Sequence, residues 1–250
     1  MPARPNNQSQ TIRETAYFSI FEGGNAKDDI YIIGDGNLIN GGNGEDILGA
    51  TGAFNTLNGG NGKDDLTAMS NQYWPATYNS LNGGNGNDTL RTVGAFGSDV
   101  YGVGAFLSGG LGKDQFQLRQ DSDVLLSNTS SYGNPTIQQG DTIQGVFDVI
   151  TDYSAGELID LGATTLRTSP LGLTHMWPGH SHITLGDGEY AFVRGNWDGD
   201  GHFAVQDDGA DTMVIYDLDP PNEYYFEYSG SVVLVGVTDT STVNIGTIAA

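Results

Sequence analysis

A single apolar residue recurs at nine-residue intervals through the first half of the chain. The series runs Ile30, Ile39, Leu48, Leu57, Leu66, then Leu81 and Leu90, then Leu107 and Phe116. All but Leu107 follow an Asp or Asn by two positions. The register slips only twice, by insertions of six residues ("AMSNQY", 68–73) and eight ("TVGAFGSD", 92–99). Repetition at this length predicts short supersecondary units that stack, each burying its one apolar residue against its neighbours.

The polar positions show that the true unit is two nines. "GGNAKDDIY" (23–31), "GGNGEDILG" (41–49), "GGNGKDDLT" (59–67), "GGNGNDTLR" (83–91) and "GGLGKDQFQ" (109–117) align Asp28, Asp46, Asp64, Asp88 and Asp114. The nines between them lack the glycine signature: "IIGDGNLIN" (32–40), "ATGAFNTLN" (50–58), "WPATYNSLN" (74–82) and "VYGVGAFLS" (100–108). The first three carry Asn37, Asn55 and Asn79 in place of Asp. Both insertions fall in the weak half of the 18-residue coil, where lengthening a loop costs little entropy. One edge of the stack is kept regular while the other varies.

The regular edge has a donor set. Glycine permits positive φ and leaves turn carbonyls free to converge, and an aspartate in the sixth place adds a hard anionic oxygen. Oxygen donors without sulfur or imidazole suit calcium. The candidate metal residues are the first, third and sixth of each strong turn. These are Gly23, Asn25 and Asp28; Gly41, Asn43 and Asp46; Gly59, Asn61 and Asp64; Gly83, Asn85 and Asp88; and Gly109, Leu111 and Asp114. Five turns leave four gaps, so a row of about four calcium ions is expected along one edge. The Asn edge is expected to carry amide hydrogen bonds between coils instead. Glycine and aspartate also make plain polar turns, but five such turns in phase with nine apolar positions favour ligation.

Charge sharpens this reading. Nine basic residues against 31 acidic ones give a net charge of −22, which opposes compaction unless cations neutralise part of it. It also disfavours nucleic acid and membrane insertion, and no apolar run approaches the length of a membrane helix. Without cysteine there are neither disulfides nor thiolate sites. "MPARPNNQSQ" does not read as a cleavable secretory signal.

These turns resemble the nonapeptide of the repeats-in-toxin (RTX) family, over about residues 23–117. "DVITDYSAGELIDL" (148–161), "GADTMVIYDLD" and "SVVLVGV" are similar to segments that follow the repeats in secreted RTX proteins. In the first, Glu157 stands where the family has aspartate. The resemblance implies an all-β fold in which a right-handed parallel β-roll (23–118) carries an N-terminal extension and capping strand (1–22). A β-rich, antiparallel C-terminal cap with a secretion signal (119–250) follows. It also implies export by a type I secretion apparatus and calcium-driven folding outside the cell, in the medium or at the cell surface.

The nine-residue period is expected to end at Leu118, leaving 119–147 irregular. "TAYFSIF" (15–21) is expected to cap the other end, with Phe21 in the apolar phase. "EYAFVRG", "HFAVQD", "TMVIYDLD" and "SVVLVGV" read as strands, and Asp-Gly in "NWDGDGH" as a hairpin. Tyr73, Trp74, Tyr78, Trp177 and Trp197 are read first as interface cover. His175, His180 and His182 are read as exposed loop residues rather than a metal cluster. Neither a metalloprotease HExxH nor a Gly-x-Ser-x-Gly elbow is present. The leading expectation is a non-catalytic secreted protein with a structural, surface or adhesive role. The alternatives are a targeting module of an extracellular enzyme, or a carbohydrate-binding module whose partner is a surface glycan or protein.

Overall fold

The structure is a computed structural model that describes residues 7–69, 78–95, 102–121, 125–126, 136–177, 180–186, 188–217 and 229–247. The protein is all-β. Its first eleven strands are β1 (Thr11–Thr15), β2 (Ile20–Gly24), β3 (Asp29–Ile33), β4 (Leu38–Asn43), β5 (Ile47–Thr51), β6 (Thr56–Asn61), β7 (Asp65–Met69), β8 (Asn79–Asn85), β9 (Thr89–Ala95), β10 (Gly102–Leu111) and β11 (Gln115–Asp121). The chain alternates between two sheets, so odd strands pair only with odd and even with even, all in parallel. Each strong nine contributes an odd strand and each weak nine an even one. Partners lie one coil apart, as in Ile30↔Leu48↔Leu66↔Leu90↔Phe116.

That register follows from the single apolar residue per nine. A strand turns alternate side chains to opposite faces, and slipping by one would expose the whole apolar column. Ile30, Leu48, Leu66, Leu90 and Phe116 line one side of the core. Ile39, Leu57, Leu81 and Leu107 line the other, all buried in one cluster.

The stack is longer than the glycine signature. At its start, Ile12 pairs with Ile30 and Phe21 with Ile39, so β1 and β2 make a full coil before the first GGN turn; most of the segment expected to cap the stack (15–21) is instead the turn between those strands, with Tyr17 and Phe18 exposed. The expected end of the period at Leu118 is overturned. Beyond β12 (Leu125–Leu126) and β13 (Thr142–Gln144), strands β14 (Val146–Ile150) and β15 (Leu158–Asp160) rejoin the two sheets. Ile150 pairs with Leu107, and Ile159 with Phe116, both fully buried. "IQGVFDVIT" (143–151) and "DYSAGELID" (152–160) are therefore one more coil in phase, reached after a third and longer insertion.

The remaining strands are β16 (Thr165–Leu166), β17 (Gly172–Trp177), β18 (His180–Thr184), β19 (Glu189–Trp197), β20 (His202–Val205), β21 (Asp211–Asp217) and β22 (Ser229–Leu234). β19, β20, β21 and β22 are antiparallel neighbours, and β19–β20 is the hairpin expected at "NWDGDGH". They do not form a separate lid. β22 pairs in parallel with β14, so the even sheet runs on into the antiparallel region. Val214, Tyr216, Val232 and Leu234 close the stack's core, while Phe147, Phe203, Met213 and Ile215 build a second core.

The weak edge is held by amides, as anticipated. Asn37 N–H donates to Asn55 Oδ1 at 2.9 Å, and Asn55 N–H to Asn79 Oδ1 at 2.8 Å. Their Nδ2 groups reach back to the carbonyls of Ala16, Gly34 and Gly52. Ala105 interrupts this ladder and Asp148 resumes it, accepting from Ala105 N–H at 3.0 Å and Thr92 Oγ1 at 2.6 Å. Asn55→Ala leaves Asn37 N–H and the Gly34 carbonyl without partners in a buried site. It should cost about 2–4 kcal/mol in denaturant unfolding, whereas Asn40→Ala, on a half-buried side chain, should cost under about 1 kcal/mol.

Candidate metal centre

On the strong edge each sixth-position aspartate divides its two oxygens between different tasks. Oδ1 accepts the backbone N–H of the equivalent residue one coil earlier. The series is Gln10 to Asp28 (2.7 Å), Asp28 to Asp46 (2.7 Å), Asp46 to Asp64, Asp64 to Asp88 and Asp88 to Asp114 (each 2.8 Å). All five aspartates are buried. Oδ2 of each has no hydrogen-bond partner.

What that second oxygen faces is set by glycine. A Cβ added at Gly59 would meet Asp64 Oδ2 at 2.5 Å and the Gly83 carbonyl oxygen at 2.6 Å. At Gly83 it would meet Asp88 Oδ2 at 2.5 Å and the Gly109 carbonyl at 2.7 Å. Gly23 has Asp28 Oδ2 and the Gly41 carbonyl at the same place, and Gly41 has Asp46 Oδ2 and the Gly59 carbonyl. Four cradles therefore bring a carboxylate oxygen of one coil and a carbonyl of the next to a point that only a missing side chain leaves open.

No protein-family model matches the chain, and no curated protein does. The site's chemistry rests on its own geometry.

An ionised carboxylate buried beside a carbonyl oxygen is unfavourable on two counts, desolvation and dipole repulsion. Burial pushes all five aspartates upward, Asp64 to about 7 and Asp88 to about 6, and at all but Asp28 a neighbouring aspartate adds to the rise. A proton or a cation relieves this. The two oxygens that each cradle presents are of the hard type that calcium takes. Among the described residues no three His, Asp or Glu side chains converge.

At the stack's N-terminal end the carboxylate is replaced by an amide. Gln10 occupies the aspartate position of the first coil, and its Nε2 donates to the Gly23 carbonyl. An amide N–H thus meets the carbonyl that, in the other cradles, faces an unpartnered aspartate oxygen. Gln10 carried no signal in the sequence, because its nine lacks glycine.

The third-position side chains point elsewhere. The Asn25, Asn43, Asn61 and Asn85 side chains bond one another in an exposed column at 2.6–2.7 Å, outside the cradles. Leu111 ends that column, 72% exposed. The side chains of His175, His180, His182 and Trp177 lie outside the described residues, as do Tyr73 and Trp74. Tyr78 stacks on Phe54 at 5.5 Å and donates to Asp200 at 2.7 Å, and Trp197 packs against Phe106. Asp198 caps its own hairpin by accepting from Asp200 N–H and His202 N–H.

Two outcomes follow. Carboxylates that bind protons more tightly folded than unfolded stabilise fully below the ordinary aspartate value of about 3.9. That stability is lost as pH rises through about 6 to 7. In excess chelator the melting temperature should therefore fall between pH 5 and pH 8, and saturating calcium should remove the fall. Gly59→Ala places a methyl group in one cradle, so a calorimetric calcium titration should lose about one equivalent of bound ion.

Proposed function

We propose that the chain is a calcium-binding protein of the RTX type. Its stacked coils form a right-handed parallel β-roll that folds when calcium enters the strong edge. The observation that carries this reading is the column of five buried aspartates with one unpartnered oxygen each, four of them facing a glycine carbonyl of the next coil. The RTX-like nonapeptide, the acidic excess and the absence of cysteine support it. The role that fits is non-catalytic: a protein exported by a type I apparatus, unfolded where calcium is scarce and folded outside the cell in a structural, surface or adhesive capacity.

Magnitudes agree with a folding switch. At dissociation constants of about 0.1–1 mM, common for extracellular modules, ten-fold saturation adds about 1.4 kcal/mol per site. Four sites add about 5–6 kcal/mol, comparable to the net stability of an ordinary domain.

A calcium titration followed by far-UV circular dichroism tests the reading, with magnesium as control. A cooperative gain of β-signal in the submillimolar to millimolar range, absent with magnesium, is expected. Full folding in excess chelator at pH 8 would contradict it. Asp46→Ala should act on two levels at once, because Oδ1 holds Asp28 N–H and Oδ2 faces the Gly59 carbonyl. The calcium midpoint should rise several-fold with a shallower transition, whereas Asp35→Ala on the weak edge should leave the midpoint within two-fold.

A further inference from the structure

The sequence holds six Asn-Gly pairs, and all six fall in three copies of "NGGNG" at 40–44, 58–62 and 82–86. At such a pair the backbone nitrogen readily attacks the preceding side-chain amide, because glycine has no Cβ to block the approach. The repeat thus gathers the chain's most labile amides around the turns of the strong edge.

In the second pair of each copy, folding holds the two reactants apart. Gly44 N–H donates to the Asn61 carbonyl, Gly62 N–H to the Asn85 carbonyl and Gly86 N–H to the Leu111 carbonyl, each at 2.8 Å. Those bonds all run to the coil ahead. The side chains are tied to the coil behind. Asn43 Nδ2 donates to Asn25 Oδ1 at 2.6 Å, Asn61 Nδ2 to Asn43 Oδ1 at 2.7 Å and Asn85 Nδ2 to Asn61 Oδ1 at 2.6 Å. Asn43 and Asn61 are therefore held at both side-chain atoms. The first pair of each copy lies inside β4, β6 or β8. There Asn58 Nδ2 donates to Asn40 Oδ1 at 2.8 Å, and Asn40 Nδ2 to Glu22 Oε1 at 3.0 Å. All of these bonds are lost when the coils come apart.

We propose that Asn43, Asn61 and Asn85, with Asn40, Asn58 and Asn82 beside them, are self-modification sites that stacking shields and unstacking exposes. In the unstacked chain the glycine nitrogen gives its proton to solvent and attacks Cγ of the asparagine. The new C–N bond closes a five-membered imide, and the side-chain nitrogen leaves as ammonia. One water then opens the ring to aspartate or isoaspartate. Either product places an anion where the column needs an amide donor. Successive coils would set such anions about 4.8 Å apart, where they repel. Isoaspartate also adds a backbone carbon to coils whose column partners lie 18 residues apart. A chain kept without calcium therefore loses folding competence with time, which limits the interval between synthesis and folding. This second clause rests on the calcium reading of the strong edge, because calcium is what starts the stacking.

Peptide mass mapping of the full chain at pH 8 tests this, in calcium, in chelator, and in chelator with urea. Modification at Asn43 and Asn61 should run at least ten-fold faster in chelator and in urea than in calcium. Within the calcium arm Asn85 should react before them, since Leu111 rather than asparagine comes next in its column. After ageing in chelator, added calcium should restore the β-signal only in proportion to the unmodified fraction. Rates within two-fold in calcium and in urea would overturn the proposal, and so would full refolding of modified chains. Slow modification in chelator beside fast modification in urea would mean a stack that forms without calcium. That result would sink the calcium reading and leave the shielded sites standing.

Discussion

The structure depends on the way five aspartates are buried in register. Each is fixed by accepting the amide of its counterpart one coil back, so the ladder that aligns the coils also withdraws the carboxylates from water. The free oxygen then has a carbonyl for a neighbour rather than a donor. Such an arrangement is costly for an anion. Stacking and neutralisation are consequently one problem, which a cation between coils would solve.

The two edges of the coil treat the same geometric need differently. On the weak edge a neutral amide both accepts from the coil before and donates to a carbonyl, so the ladder is complete without any ion. On the strong edge the carboxylate can only accept, and the missing donor leaves a gap whose size glycine sets. The termini of the strong edge differ in the same terms. Gln10 closes one end with an amide donor, and Glu157 leaves the other with a second unpartnered carboxylate.

Much of this was legible in the chain. The apolar phase and the aligned Asp28, Asp46, Asp64, Asp88 and Asp114 are direct consequences of a one-dimensional repeat, in which each unit meets only its neighbours. Phe21 was placed by phase alone. What stayed hidden were coils without the glycine signature. "DYSAGELID" puts Asp152, Ala155 and Glu157 where the signature has Gly, Gly and Asp, and a long insertion separates it from Phe116, so only strand pairing reveals that Ile159 is the next apolar step. Asp148 was likewise unreadable as a substitute for asparagine, since its partner Thr92 lies 56 residues away. The third-position asparagines carry a further regularity that the sequence did not reveal, a side-chain column on the outside of the turns.

The central claim is that a cation occupies the point between each orphaned aspartate oxygen and the glycine carbonyl of the next coil. Anomalous diffraction from crystals grown in calcium, with terbium exchange to strengthen the signal, addresses it most directly. The account predicts a single row of peaks at the coil spacing of about 4.8 Å where no insertion intervenes, each peak bonded to an Asp Oδ2 and a glycine carbonyl. An ordered strong edge without such peaks, its Asp Oδ2 atoms bonded to the facing carbonyls through protons, would contradict it.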